Sequence, residues 1–315
     1  MPKRIILLLS ILLVWTSQSY AFWMWTPETN KWINPKYAVK DTPQEQLAFA
    51  KESFDAKDYK TAINEFDKLI RYYPRAKEAP EAKYYIGQSW EAQGRLYDAF
   101  KSYQEVIDKY PFSDRAPDIV AQQYEVGNKL MEGGKTGMFT GGILGGSDYD
   151  VVEIFRKVIK NAPYGEFAAP SQYKIGLYLM GKQLYDEARD ELDKVINDYP
   201  TSEWAKAAQY QIALVDAKRS TDAQYDQKIT QSAVQEFKEF VKTNPDAELS
   251  AKAQQQIDQL REKDAENNFV VAHFYEKQKN YKAARIYYET VVEHFNNSPW
   301  AVKSMEKLRI LDAKK

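Results

Sequence analysis

The 315-residue sequence contains no cysteine, two histidines and almost no net charge, and each scarcity excludes a class of function. Without cysteine, these residues offer no disulfide, thiolate metal site, cysteine nucleophile or cysteine-linked lipid. The histidines, His273 and His294, are predicted on different helices, so a histidine-based metal or catalytic site is not expected. With 44 basic and 45 acidic residues, the charge does not favour nucleic-acid binding. The sequence predicts a non-enzymatic protein without a cofactor or metal.

A long hydrophobic run at the N-terminus is typical of an export signal. Two basic residues precede the apolar stretch 5–15, and small residues occupy the two positions that a signal peptidase reads. The run is shorter than the ~20 residues that a membrane-spanning helix needs. We predict a signal peptide over residues 1–21, cleaved between Ala21 and Phe22, and a periplasmic destination. An uncleaved N-terminal anchor is the alternative.

Residues 22–41 are predicted to form an extended, tryptophan-rich arm. Trp23, Trp25 and Trp32 lie in this segment, and two prolines break any regular helix. In one interpretation the rings pack onto the first repeats. In the other they dock on a partner or lie at a membrane interface, where tryptophan is favoured, which leaves peripheral membrane association open.

Over residues 42–297 a helix–turn–helix pattern recurs about six times. In the segment 183–200, QLYDEARDELDKVINDYP, apolar residues recur at spacings of three and four, as on a helix buried on one side. Each first helix carries a small residue, at Ala50, Gly87, Gly127, Gly176, Ala213 and Ala272. Each second helix carries another, at Ala62, Ala99, Val151, Ala188, Ala233 and Ala284. A bulky residue follows four positions later, at Phe66, Tyr103, Phe155, Leu192, Phe237 and Tyr288.

These spacings resemble the tetratricopeptide repeat. Small residues let neighbouring helices approach closely, and the bulky residues fill the space between them. One pair cannot bury its own apolar stripe, whereas stacked pairs can. The resemblance implies an all-α fold, a right-handed solenoid of about six helix pairs, with a capping helix over residues 298–315. Tyr84, Tyr85, Tyr97 and Tyr103 are interpreted as core and inner-face packing. A concave face that holds a peptide through tyrosine and amide contacts is the functional hypothesis.

Three places break the repeat. A glycine-rich insertion, EGGKTGMFTGGILGGS, occupies residues 132–147, and a polar stretch lies around 220–226. Pro245 and Ala272 are 27 positions apart, where most pairs have 13, so fourteen residues are extra. This last stretch has no proline or glycine and predicts one long helix over residues 247–277 that projects beyond its neighbours. We hypothesise that the insertion and the long helix contact partners.

The insertion is not expected to bind a nucleotide. Its Gly-Lys-Thr tripeptide lacks the earlier glycine and the preceding strand of a phosphate-binding loop. It is interpreted as a flexible loop, or as a partner-binding tip because apolar residues stand among the glycines. The candidate contact residues are Met138, Phe139, Ile143 and Leu144.

Three features together resemble the BamD (YfiO-like) outer-membrane assembly family. They are the export signal, the Tyr-x-(Ile/Val)-(Gly/Ala) openings with Tyr-Pro stops, and the glycine-rich insertion before a Ser-Asp-Tyr-Asp helix start. The openings begin at Tyr84, Tyr124, Tyr173 and Tyr210. The resemblance covers about residues 42–313, without the lipid-bearing cysteine of the family.

The resemblance implies a non-enzymatic periplasmic scaffold at the outer membrane. Such a scaffold docks on the barrel-assembly protein and receives unfolded outer-membrane proteins. Another envelope tetratricopeptide scaffold, Tol-Pal-associated or for polysaccharide export, is the alternative, followed by an accessory subunit of an envelope enzyme. The sequence leaves the partner, the binding face and the oligomeric state open.

Overall fold

The computed structural model describes residues 24–26, 31–33, 38–136, 148–222, 227–245 and 248–313. The chain divides into two compact units, Met1–Arg115 and Ala116–Lys315. Each unit is built from antiparallel helix pairs in which consecutive helices pack against each other.

The first unit contains a short hairpin and two helix pairs. Strands β1 (Met24–Thr26) and β2 (Lys31–Ile33) pair antiparallel within the segment predicted to be extended. The helices are α1 (Pro43–Asp55), α2 (Tyr59–Tyr72), α3 (Ala79–Ala92) and α4 (Leu96–Lys109). The Thr42 hydroxyl accepts a hydrogen bond from the Glu45 amide at 3.2 Å, which caps α1 just before its proline.

The second unit contains four helix pairs and a final single helix in its described residues. The helices are α5 (Ala116–Thr136), α6 (Asp148–Asn161), α7 (Ala168–Gly181), α8 (Tyr185–Asp198), α9 (Glu203–Asp222), α10 (Gln227–Thr243), α11 (Glu248–Lys277), α12 (Tyr281–His294) and α13 (Pro299–Asp312). Two pairs in the first unit and four in the second make the predicted six. The predicted all-α, solenoid-type tetratricopeptide fold is therefore confirmed.

Helices continue into segments that the sequence suggested were loops. Helix α5 extends to Thr136, so the first residues of the predicted insertion 132–147 are helical, and residues 137–147 lie outside the described part. Helix α9 likewise runs through Asp222, into the polar stretch 220–226. A helix with few apolar residues at its end gives a weak periodic signal, which explains why its length was underestimated.

The long helix α11 is confirmed, but the prediction that it projects beyond its neighbours is wrong. Its N-terminal half carries Ala253, Ile257 and Leu260 into a buried cluster with residues of α9 and α10. Its C-terminal half carries Ala265 and Ala272 into clusters with α12 and α13. The fourteen extra residues therefore lengthen the packed surface of α11. Its N-terminal half packs against the preceding helix pair, and its C-terminal half packs against α12 and α13.

The small and bulky positions meet as the repeat predicts. All six bulky residues have fully buried side chains, at 0% exposure. A methyl group added to Gly127 would lie 2.8 Å from Cε1 of Phe155. One added to Gly176 would lie 2.6 Å from Cγ of Leu192. The first helix lacks a side chain at these points because the second helix inserts one there.

Where the bulky residue is a tyrosine, the first helix supplies an acceptor for its hydroxyl group. Tyr103 donates to Oε2 of Glu91 at 2.8 Å, and Tyr288 donates to Oε2 of Glu276 at 2.8 Å. Burial, with the adjacent carboxylate, raises the pKa of both phenols. Both glutamates stand four positions after the small residue of the first helix. In the other four pairs that position is apolar, at Phe54, Met131, Met180 and Ala217.

We expect Gly176→Ala to destabilise the protein by about 1–3 kcal/mol, because its methyl group overlaps Leu192 in a packed core. Gly181→Ala, at the end of the same helix, is the matched control, since a methyl group there meets nothing within 4 Å. Urea unfolding followed by circular dichroism measures both. Equal midpoints for the two variants would contradict the proposed close packing.

Candidate partner-binding surface

Ion pairs bridge the second helices of successive pairs in the second unit. Nη2 of Arg156 on α6 lies 2.9 Å from Oε1 of Glu191 on α8. Nη2 of Arg189 on α8 lies 2.7 Å from Oε1 of Glu236 on α10, and its Nη1 lies 2.9 Å from Oδ2 of Asp216 on α9. These contacts link each helix pair to the next one along the chain.

Glu191 is held by several groups at once. It is 6% exposed, and Nε2 of Gln172 donates to its backbone carbonyl at 3.0 Å and to its Oε2 at 2.6 Å. Nζ of Lys194 lies 2.9 Å from its Oε1. Burial alone would raise the pKa of Glu191, but the hydrogen bonds from Lys194 and Gln172 and the charge of Arg156 outweigh it and lower the pKa.

The junction between α10 and α12 holds a groove. We call it the junction cleft. It comprises two adjacent cavities of about 530 and 420 Å³. Both are lined by Lys238 of α10, Arg261 of α11 and Phe295, which follows α12.

The cleft exists because α10 and α12 lie one after the other along α11. The start of α10 is beside Asp264, whose Oδ1 accepts from Nε2 of Gln227 at 3.4 Å. The end of α12 is beside Arg261, whose Nη2 donates to the carbonyl of His294 at 2.9 Å. This cation lies at the C-terminal end of α12, where positive charge is favoured. The cleft lies above the middle of α11, between the side of α10 that carries Val234 and Lys238 and the residues that follow α12.

The two cavities differ in chemistry. The larger one is mostly polar; besides the three shared residues it is lined by Gln254, Ile257, Asp258, Glu262, Asn297 and Ser298. The smaller one combines apolar and polar groups, from Thr230, Gln231, Val234, Gln235, Leu260, Asp264, Glu293 and His294. Together the cavities carry the cations Lys238 and Arg261, four carboxylates, side-chain amides and a few apolar groups, which is the mixed composition of a protein interface.

Large apolar residues are also exposed on the last three helices. They are Val270, Phe274, Tyr281, Ile286, Val302, Met305 and Ile310, each at least 41% exposed. Exposed apolar groups gathered on one part of a soluble protein favour an interaction surface.

The structure brings two of the predicted arm residues together. Trp25 and Trp32 face each other across the β1–β2 pair, with ring centroids 5.8 Å apart in an edge contact. They are 45% and 62% exposed, so neither ring is buried against the repeats. The other predicted contact and cleavage residues lie outside the described residues: Ala21, Phe22, Trp23, Met138, Phe139, Ile143 and Leu144.

Three of the four opening tyrosines are buried. Tyr84, Tyr173 and Tyr210 are each 8% exposed. Their rings pack inside the pairs; Tyr210 lies 5.6 Å from Phe237, for example. The interpretation of Tyr84 and Tyr103 as core residues is confirmed. The sequence could not decide this, because a tyrosine suits both a core and a half-exposed face.

The histidines have separate surroundings. Nδ1 of His273 lies 3.3 Å from Oε2 of Glu276, while His294 lines the junction cleft. Within the described ranges, no three histidine or carboxylate groups are placed to hold a metal ion. Across the same ranges, every helix is too short or too polar to cross a membrane.

The fold and the sequence comparisons together show which class of protein the chain belongs to. Residues 47–114 match the model of the tetratricopeptide repeat, so the chain is a tetratricopeptide-repeat protein. Residues 149–312, more than half of the chain, match the model of the YfiO family, described as outer membrane lipoprotein. The chain belongs to the YfiO family, and the junction cleft lies within the matched residues.

A curated relative and two solved structures are similar to the chain. The relative is the outer membrane protein assembly factor BamD of Caulobacter vibrioides, 26% identical over 160 residues, or 50% of this chain. That alignment spans about half (52%) of the relative. A tetratricopeptide-repeat protein from Cytophaga hutchinsonii (C-terminal part) is 14% identical, with a TM-score of 0.39 over 84% of this chain and 88% of that one. A tetratricopeptide-repeat protein from Parabacteroides merdae is 14% identical, with a TM-score of 0.37. That match covers 85% of this chain and 98% of the other one.

The lowered pKa of Glu191 predicts how stability depends on pH. Its carboxylate stabilises the fold above its unfolded-state pKa of ~4.3, and this contribution is lost as the pH falls through the lower folded-state pKa. We therefore expect the urea midpoint of the wild type to fall more steeply below about pH 5 than that of Glu191→Gln.

The matched control is Glu187→Gln, which removes an exposed carboxylate one turn earlier on the same helix. We expect the urea midpoint of Glu187→Gln to change with pH as that of the wild type does, from pH 7 to pH 3. Parallel curves for Glu191→Gln and the wild type would show that Glu191 is not held by its neighbours as described.

Proposed function

We propose that the chain is a non-enzymatic periplasmic scaffold in the assembly of outer-membrane β-barrel proteins. The observation that carries this proposal is the match of residues 149–312 to the YfiO family. The similarity to the BamD assembly factor of Caulobacter vibrioides over half of each chain supports the same function. The partners would be an outer-membrane barrel-assembly component and unfolded outer-membrane proteins.

The surroundings of the buried charges favour a scaffold over an enzyme. Burial raises the pKa of Asp216, yet this carboxylate is paired with Arg189 at a junction between helices. Glu191 and Glu276 are likewise bonded to groups on neighbouring helices. Carboxylates that serve catalysis have shifted pKa values and face a substrate cavity, whereas these join helices.

The exposed tryptophans suggest how the scaffold is held at the outer membrane. Trp25 and Trp32 present a paired aromatic surface on a short hairpin. Such rings are favoured both in protein interfaces and at the boundary between lipid and water. The proposed location is therefore the periplasm, with peripheral association at the outer membrane.

Capture of partners from the envelope tests the proposed function. The tagged protein is crosslinked in intact cells and purified, and the bound proteins are identified by mass. We expect a barrel-assembly protein and unfolded outer-membrane proteins. Recovery of peptidoglycan-linked or polysaccharide-export components instead would keep the scaffold and overturn the assembly function.

Removal of both exposed arm tryptophans should release the protein from the membrane. We expect the double variant Trp25→Ala/Trp32→Ala to lose most of its recovery in the outer-membrane fraction, with an unchanged melting temperature. The control Tyr72→Ala/Phe112→Ala removes two other exposed rings of the same unit, 62% and 98% exposed. Equal membrane recovery of the two double variants would exclude the arm as the attachment.

A further inference from the structure

We propose that helix α13 pairs with the α13 of a second copy of this chain, antiparallel about a twofold axis, so that the protein forms a dimer. The contact surface is an exposed row on α13, made of Val302, Glu306, Arg309 and Ala313, with Met305 on one flank and Ile310 on the other. The pairing does not depend on the proposed assembly function.

The exposed row lies opposite the side by which α13 is packed. Ser304 and Leu311 face the rest of the unit and are buried. With ~3.6 residues per turn, the four residues of the row fall on the other side of the helix. They follow one another at spacings of four, three and four, which is the row along which two helices pack at a small angle.

Apolar side chains on this surface provide a reason to associate. Val302 is 64% exposed, and Met305 and Ile310 are 42% and 41% exposed. A twofold axis keeps each flank on its own side, so Met305 comes close to Met305 of the second copy and Ile310 close to Ile310. All three side chains therefore lose contact with water when two α13 helices meet.

The charges on the row select an antiparallel pair. Glu306 and Arg309 are both exposed, and we find no ion pair for either side chain among the residues that the structure describes. In a parallel pair each residue faces its own copy, so two glutamates and two arginines would repel each other. In an antiparallel pair Glu306 faces Arg309 of the second copy, and this attraction occurs twice.

One register satisfies both the charged and the apolar positions. Placing Glu306 against Arg309 of the second copy also places Val302 against Ala313, because both pairs have the same midpoint along the helix. Alanine leaves room for the valine side chain, so the two backbones can approach closely at both ends of the row. The surface of α13 is therefore complementary to itself.

The size of the surface predicts a reversible dimer. Helix α13 has 14 residues, about 21 Å at ~1.5 Å of rise per residue. Two such helices bury less than the ~1,600 Å² of a standard stable interface, so we expect a dissociation constant in the micromolar range. Exposed ion pairs add little affinity, so the charges set the direction and the apolar residues supply most of the attraction.

Sedimentation velocity of the purified full chain, over protein concentrations from ~1 to ~200 µM, tests the dimer. We expect monomer at the low end and dimer at the high end. Arg309→Glu and Glu306→Arg each place like charges against each other twice, and each should weaken the dimer roughly tenfold or more. The double variant Glu306→Arg/Arg309→Glu exchanges the two charges and should restore the wild-type affinity to within about threefold.

Lys242→Glu is the matched control for Arg309→Glu. It changes the net charge by the same amount, on α10, at a side chain that is 77% exposed. We expect it to dimerise as the wild type does. Melting temperatures identify any variant that is destabilised, and if a single reversal is, the double variant decides.

Crosslinking tests the direction of the pair. The chain has no cysteine, so an introduced thiol reports on one position alone. With a short crosslinker that joins two thiols, a mixture of Val302→Cys and Ala313→Cys should give the mixed dimer in high yield. Val302→Cys alone should give little, and equal yields would contradict the antiparallel arrangement.

Three results of the sedimentation experiment would overturn the dimer. They are a monomer at every concentration, single reversals that behave as Lys242→Glu does, and a double variant that melts like the wild type but stays as weak as the single ones. The experiment uses purified protein alone, whereas the assembly function is tested by partners captured from the envelope. Failure of either proposal therefore leaves the other standing.

Discussion

The close approach of the two helices in each pair is the constraint on which the structure depends. A helix with an apolar stripe must bury that stripe, and two helices approach closely where one of them carries a small side chain or none at the contact. Gly127 and Gly176 provide such points, and Phe155 and Leu192 occupy the space. Once this contact is fixed, the remaining faces of each pair are directed toward the neighbouring pairs.

Polar groups inside the repeats follow from that packing. A tyrosine at the bulky position brings a hydroxyl group into the core, and Glu91 and Glu276 are placed to accept from it. Nε2 of Gln46 donates to the carbonyl and carboxylate of Glu65 at 3.0 Å each, in the first unit. Gln172 and Glu191 make the same pair of bonds in the second unit. Where a polar side chain enters the packed region in these pairs, a partner for it is supplied by the other helix.

The sequence predicted the helix pairs and the contact positions well, because both depend on local spacing. It also predicted the long helix α11, since a run without proline or glycine continues a helix. It could not predict what α11 packs against, because helix length does not determine which neighbours cover each half. The junction cleft was missed for the same reason: Lys238, Arg261 and Phe295 lie on three separate elements and share no motif. The tandem placement of α10 and α12 brings them together.

Helix α13 is the counterpart of α9, with a different face. Helix α13 matches α9 at Ser202 and Ser298, Trp204 and Trp300, and Asp216 and Asp312. Arg285 is paired with Asp312 as Arg189 is with Asp216, so α13 packs on the preceding pair as a first helix does.

The pairing face of α13 differs from that of α9. Tyr210 and Ala213, which receive α10 in the buried cluster, are replaced by the exposed residues Glu306 and Arg309. Charged side chains at these two positions cannot make the apolar contacts of Tyr210 and Ala213, whereas Val302 and Met305 on the same face remain apolar and exposed. These substitutions thus distinguish the face of α13 from the pairing face of α9. The junction cleft depends on a different change, the added length of α11, since both α10 and α12 pack along that helix.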